Sequence, residues 1–187
     1  LKAVRKSKRV AVRSCNGSGK TYAAACAVVW WLMSFRDSAI AITTAPTERQ
    51  VKDLLWREIR HIHAANAALV GGTASQTALE VSPRRYAKGF STDAPERFQG
   101  FHDANILFVV DEASGVDEDI YQAIEGSMTT GGARLLLIGN PTRRQGTFYD
   151  AFNGRRSLWH TMHISAFDTP NVKGKAEVPG LVTPEWV

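Results

Sequence analysis

At 187 residues the chain is long enough for one sizeable core and too short for two full domains. Its 44% hydrophobic and 22% charged residues describe a globular protein, and its longest apolar run, Tyr22 to Met33, falls well short of the ~18–20 residues that a membrane span needs. The net charge of +5, from 23 Lys and Arg against 18 Asp and Glu, favours polyanionic partners without requiring one.

The opening stretch from Leu1 to Arg9 carries charge with no apolar core behind it, so it is not a cleavable signal, and without an initiator Met it reads as the start of an excised piece. Lys8 to Arg13 reads as a short strand. Ser14 to Thr21, SCNGSGKT, then nearly spells the phosphate-binding pattern G-x-x-x-x-G-K-[ST], with Ser14 at the place of the first glycine. In such a loop Ser14, Cys15, Asn16, Gly17, Ser18 and Gly19 turn backbone N–H groups toward phosphate oxygens. Lys20 reaches the terminal phosphates and the Thr21 hydroxyl serves Mg²⁺. Gly17 and Gly19 allow positive φ and close approach, and Ser14 fits if its dihedrals are ordinary. Ala24, Val28, Trp31, Leu32 and Phe35 recur at helical spacing behind the loop. The competing reading is a Gly-rich turn before a core helix with Lys20 solvated; the strand–loop–helix context favours the nucleotide. Cys15 and Cys26 form no C-x-x-C pair, which points to a reduced, cytosolic setting without zinc.

Ser38 to Thr44 is β-branched and reads as a strand broken by Ala45-Pro46. Thr47 to Gln50 has the form of a capping box, and Val51, Leu54, Leu55, Ile59 and Ile62 continue an apolar helical stripe. Arg49, Lys52 and Arg60 fall on another face, read as solvated, with a DNA-tracking face as the alternative. His61 and His63, two apart, make a poor metal pair. After Gly71-Gly72, Thr77–Val81 and Tyr86–Phe90 can pair as a hairpin. Asn105 to Val110 and Arg134 to Ile138 are unbroken apolar runs, as in strands buried on both faces. Trp159 to Phe167 reads as a last strand, and the Pro- and Gly-rich tail from Asp168 as a connection onward. The expected fold is α/β with a mostly parallel central sheet flanked by helices: residues 1–150 form the core, and 151–187 the last strand and a connection toward a lid or nuclease region.

Asp111-Glu112 closes the Asn105–Val110 run. An acid at the end of a buried strand can hold magnesium and an adjacent glutamate can activate the attacking water. Glu112 lies 92 residues after Lys20, room for strand–helix units before the chain returns beside the first strand. Gly139-Asn140-Pro141 follows the next buried strand. Its amide suits a γ-phosphate sensor, where without the other two motifs it would be a turn.

Taken in order, VRSCNGSGKT, TTAPTERQV, FQGFHDANILFVVDEASGV, LLLIGNPTRRQGTFYDAF and HISAFDTPNV resemble the ATPase domain of the large terminase subunit of tailed bacteriophages or prophages, over nearly the whole chain. The resemblance implies a P-loop NTPase fold of the RecA-like (ASCE) kind and an ATP- and Mg²⁺-dependent motor driving double-stranded viral DNA into a procapsid. It also implies a portal protein and a small terminase subunit as partners, a homo-oligomeric ring, no membrane, and a place in the bacterial host's cytoplasm. It assigns Lys20 and Thr21 to the Walker A loop, Asp111 and Glu112 to the Walker B site, and Asn140 to the coupling motif. Ring motors commonly complete the site with a neighbour's arginine, and Arg97 is the candidate, with Arg143 and Arg144 as rivals. Many members carry an arginine within the loop where this chain has Asn16; Arg13 lies just before it. An adenine-contacting N-terminal segment and a nuclease domain are not recognisable. Two alternatives are a helicase-like nucleic-acid-dependent ATPase, which needs a second RecA-like domain, and a non-catalytic ATP-binding switch, against which Glu112 argues.

Overall fold

The computed structural model describes residues 1–92 and 95–187. A short helix α1 (Lys2–Lys6) leads into β1 (Arg9–Ser14), the glycine loop and α2 (Lys20–Ser34). β2 (Ala39–Ala45) is followed by a helical stretch that ends as α3 (Trp56–Ala65), and then by α4 (Ala67–Val70). β3 (Thr73–Ala74), β4 (Ala78–Ser82) and β5 (Arg85–Ser91) form an antiparallel meander. β6 (Ile106–Val110), α5 (Glu118–Ser127), β7 (Arg134–Gly139), α6 (Thr147–Asp150) and β8 (His160–Ile164) complete the order. The strands form one sheet, β3-β4-β5-β2-β6-β7-β1-β8, in which β5 through β8 pair in parallel.

Period-two alternation divides the core between the sheet's faces. Leu107 and Val109 of β6 join Val10, Val12, Leu136 and Ile138 under α2 and α3. Ile106, Phe108 and Val110 join Ala11, Leu135 and Leu137 under α5 and α6. β2 and β6 are buried at every residue, which is why their sequences are continuously apolar or small.

Three expectations change. The Asp-Glu strand does not return beside the first strand: β7 lies between β6 and β1, with Leu135 opposite Phe108 on one side and Arg9 on the other. The α5 crossover carries β7 into the slot next to β1, so Asn140 stands between the glycine loop and the acidic pair. Next, Gln50–Leu55 is a π-helix rather than the first turns of an α-helix. The Gln50 N–H donates to Thr47 Oγ1 (3.2 Å), but the Gln50 side chain accepts from that same hydroxyl (2.9 Å), so only half of the capping box forms. Finally, the tail folds back on the body. Asn171 clasps Val178 through two hydrogen bonds (2.7 and 3.0 Å), and the Gly180 carbonyl comes to lie against Gly17.

On the basic face Lys52 pairs with Glu48 and Arg60 donates to the Gln76 carbonyl (2.6 Å), as a solvated face would. His63 Nε2 sits 2.9 Å from the Gly71 carbonyl. Among the described residues no cluster of three or more His, Cys, Asp or Glu side chains could hold a metal, and no helix is long and apolar enough to cross a membrane.

Candidate nucleotide site

The glycine loop is held between β1 and the first turn of α2. Gly17 (φ 69°) and Gly19 (φ 77°) both take left-handed dihedrals, and Gly19 caps α2. A Cβ on Gly17 would stand 2.1 Å from the Gly180 carbonyl oxygen, so this glycine is required by φ and by space alike. Ser14 is the buried last residue of β1 with ordinary dihedrals, and its hydroxyl accepts a hydrogen bond from Ser18 Oγ (3.0 Å) across the loop. The missing first glycine is thereby accommodated. The Cys15 N–H donates to the Ile164 carbonyl (3.0 Å), tying the loop's base to β8. The open N-terminus of α2 points its unpaired N–H groups and helix dipole at the loop's concavity.

The acidic pair meets the loop. Thr21 Oγ1 donates to Asp111 Oδ2 (3.1 Å), and Lys20 Nζ lies 3.4 Å from Glu112 Oε1. Asp111 is 1% exposed. Burial pushes its carboxyl up to about 6, with the nearby Glu112 charge adding to the rise. The Glu112 N–H, the Thr21 hydroxyl and the Lys20 cation oppose it. Glu112 has φ 48°, the one described non-glycine residue with positive φ, a conformation that costs of order 1–3 kcal/mol and aims its side chain at Lys20. A hydroxyl and a carboxylate joined in this way are hard oxygen donors, which suits Mg²⁺ held by one carboxylate, a hydroxyl and phosphate oxygens.

Asn140, at the tip of β7, donates from Nδ2 to Asn16 Oδ1 in the glycine loop, and its own Oδ1 is buried without a partner. Asn16 is thus the glycine-loop residue in contact with the tip of β7. Arg13 does not reach the loop's concavity: its guanidinium lies 4.8 Å over the Phe152 ring. The segment after Asn140 is stitched to the acidic strand by bonds with no sequence signature. The Arg143 N–H donates to Ser114 Oγ (3.0 Å). Glu118 accepts from the N–H (2.7 Å) and hydroxyl (2.8 Å) of Thr147. The Asp117–Asp119 run is exposed, yet Glu118 is bonded to Thr147 and Asp117 lies 4.0 Å from Arg143 Nη1.

Arg97 is not brought to the loop of its own chain. It is exposed on the turn Pro95–Phe98, which is anchored by buried Phe98 and by Ser127 Oγ donating to the Phe98 carbonyl (2.9 Å) on the α5 side. Arg143 and Arg144 are also exposed, beside the coupling loop. A cavity of about 350 Å³ adjoins the glycine loop, lined by Gly17–Tyr22 with Leu54, Arg57 and Glu58 of the π/α3 helix.

A parallel sheet with one strand between the loop strand and the acidic strand, a glycine loop capping a helix, and Thr–Asp and Lys–Glu contacts across them define a P-loop NTPase of RecA-like architecture. A model for the AAA domain family matches residues 1–146, and the chain belongs to that family. Over 150 residues it is 27% identical to a probable terminase large subunit of Enterobacteria phage P7, a match covering 75% of this chain and 30% of that protein. The chain therefore spans about a third of that relative's length. Its structural neighbours are phage large terminases. A point variant of the Thermus phage P74-26 large terminase ATPase domain superposes with TM-score 0.71 at 18% identity, covering 87% of this chain and 78% of that one. A large terminase from a thermophilic bacteriophage, in complex with ADP, superposes with TM-score 0.66 at 15% identity, covering 87% and 40%. At these identities the likeness carries the fold.

Proposed function

We propose that this chain is the ATP-hydrolysing domain of a viral large terminase, a motor that drives double-stranded DNA into a procapsid. The observation that carries the reading is the meeting of Lys20 and Thr21 with Glu112 and Asp111 across two separate strands. An incidental glycine turn has no reason to face an acidic pair. ADP in the thermophilic phage relative supports an adenine nucleotide as the ligand. Terminase relatives among both sequences and structures support the packaging role over a helicase-like ATPase.

In this reading the N–H groups of Gly17 to Thr21 cradle the phosphates, and Lys20 turns from Glu112 to the β- and γ-phosphates. The exchange is downhill. An ion pair partly open to solvent is worth about 0–1 kcal/mol, whereas each charge-assisted hydrogen bond to phosphate contributes about 1.5–3 kcal/mol. Glu112, released, accepts a proton from the attacking water. The partnerless Asn140 Oδ1 is an acceptor suited to orienting that water. Thr21 and Asp111 would hold Mg²⁺, which supplies charge neutralisation at the phosphates. Arg97 is the candidate for completing a neighbour's site in a homo-oligomeric ring, with Arg143 and Arg144 as its rivals. The portal on the procapsid, the small terminase subunit and the bacterial host's cytoplasm follow from the same reading.

The test is binding of a fluorescent ATP analogue and steady-state ATPase on wild type and Lys20→Ala. Loss of both in a variant that still melts cooperatively supports the assignment. Hydrolysis at the wild-type rate overturns it.

A further inference from the structure

We propose that the end of the sheet opposite the nucleotide is the surface that takes the phosphate backbone of duplex DNA. The identity of the polyanion rests on the motor reading above; the surface itself is read from charge placement. Because β5, β2, β6, β7, β1 and β8 run parallel, all begin at one end and finish at the other, where the glycine loop, Asp111 and Asn140 lie. The starting end is strongly basic. Lys2, Arg5 and Lys6 of α1 and Lys8 are exposed, and Arg9 opens β1. Exposed Arg36 precedes β2, exposed Arg84 and half-buried Arg85 open β5, and Arg134 opens β7.

Exposed Arg155 and Arg156 likewise precede β8. The carboxylates named at this end are fewer: Glu125 is taken by Arg9 (2.8 Å), Asp103 accepts from Ser38 Oγ (3.0 Å) and the Asn105 N–H (2.8 Å), and Asp37 and Glu80 are exposed. Cations therefore predominate at this end.

The rim runs through β5-β2-β6-β7-β1, four steps of about 4.8 Å, or about 19 Å in all. A duplex presents about one charge per 1.7 Å of axis, hence about 11 over that length. An acidic protein partner would require an apolar centre to the interface. Of the exposed large hydrophobics, Leu1, Met33, Leu69 just before β3 and Leu158 just before β8 lie at this end; Leu69 and Leu158 stand at opposite edges of the sheet, and the Met33 sulfur is 3.9 Å from Arg85 Nη2. Cations running along the rim between dispersed apolar side chains suit a uniformly charged backbone. The rival basic face is weaker, since Lys52 and Arg60 already have partners. Strands of five to seven residues put about 17–23 Å between the rim and the phosphates, so each end can be read without the other.

The experiment is fluorescence anisotropy of a labelled duplex of about 30 base pairs, long enough to span the rim several times over, across a salt series. It compares wild type, Lys2→Ala/Arg5→Ala/Lys6→Ala, Arg36→Ala/Arg84→Ala and the control Arg49→Ala/Lys52→Ala/Arg60→Ala, with thermal melting and binding of a fluorescent ATP analogue measured on each. The α1 triple should lose at least about tenfold in affinity and flatten the salt slope by about 0.9 per phosphate contact removed. The Arg36/Arg84 double should weaken binding in the same direction, and ATP-analogue binding should not move. Unchanged duplex binding in both rim variants, or loss confined to the control, overturns the surface. So does no duplex binding by a wild type that binds the analogue. Poly-L-glutamate competing as well as duplex at equal charge would assign the rim to an acidic protein instead. Failure of wild type to bind the analogue, with duplex binding still centred on the rim, would count against the nucleotide reading alone.

Discussion

Asp111→Asn should stabilise the metal-free chain and abolish its hydrolysis. The Asp111 carboxyl titrates near 6 in the fold, against 3.8 when unfolded, chiefly because burial opposes its charge. Between those values the folded state binds more protons than the unfolded one, so this group's contribution falls as pH rises from about 4 to 6 and stays low above that. At ~1.36 kcal/mol per pH unit, the gap between the two values is worth about 3 kcal/mol. Asparagine escapes that penalty but disturbs two bonds, from the Glu112 N–H (2.9 Å) and the Thr21 hydroxyl (3.1 Å). The Thr21 hydroxyl can reverse and accept from the new Nδ2, which limits this cost to about 1 kcal/mol. The net gain at pH 7.5 is about 2 kcal/mol, or about 4–8 °C in Tm for a chain of this size. Melting both proteins in EDTA at pH 4, 5, 6 and 7.5 isolates the effect, because other carboxylates cancel in the difference. The Tm gain should be absent at pH 4 and grow to pH 7. A pH-independent difference, or a variant less stable at pH 7.5, would refute the account of Asp111 as a buried charge.

Glu112→Gln keeps the size of the side chain but removes its basicity, so ATP-analogue binding should persist while turnover drops roughly 10²–10⁴-fold in a coupled ATPase assay. Gly17→Ala places a methyl 2.1 Å from the Gly180 carbonyl oxygen at φ 69°, and melting should show a loss of several °C with weakened analogue binding; an unchanged Tm would mean that the tail does not hold its place over the loop. Glu118→Ala removes both acceptors of Thr147 and should leave analogue affinity within about twofold while raising amide exchange across residues 143–147, as read by mass spectrometry. Arg97→Ala subunits mixed with Lys20→Ala subunits should recover ATPase activity if Arg97 acts in trans, and assembled mixed rings without recovery would remove it from the site.

The helices and strands were legible where periodicity was strong. The buried runs 105–110 and 134–138 appear as β6 and β7, the hairpin as β4–β5, and the glycine loop where strand meets helix. The order of the sheet was not legible, because nothing local in Leu135 or Arg9 announces that they will be opposite each other. The π-helix at Gln50–Leu55 was hidden for another reason: its apolar stripe is compatible with an α-helix, and backbone bonding, not side-chain pattern, distinguishes them. At the site, the glycine-loop pattern singled out Lys20 and Thr21, and Asp111 and Glu112 stood out as acids ending a buried run; the fold brings these four side chains together. Glu118 and Ser114, which bind the coupling loop, had no such signature, since a carboxylate in an acidic run and a serine after a strand read as solvent-facing until the partner loop is placed.

Under the proposed function, the position of β7 offers a route by which a small change at the nucleotide would be transmitted. With Asn140 between the glycine loop and the acidic pair, one amide touches Asn16 and its chain continues directly into the segment held by Ser114 and Glu118. An arginine in the loop would meet the γ-phosphate with a charge-assisted bond; Asn16 instead offers a neutral one, worth about 1 kcal/mol. Such a link is weak enough to yield when phosphate is gained or lost, a change that redistributes several charge-assisted bonds at once. The Glu118–Thr147 contact is the stronger of the two joints because its acceptor is ionised and takes two donors. Movement started at Asn140 is therefore expected to reach α5 and α6 as a unit, while β1 and β2, buried on both faces, stay in place and carry the basic rim at their far ends.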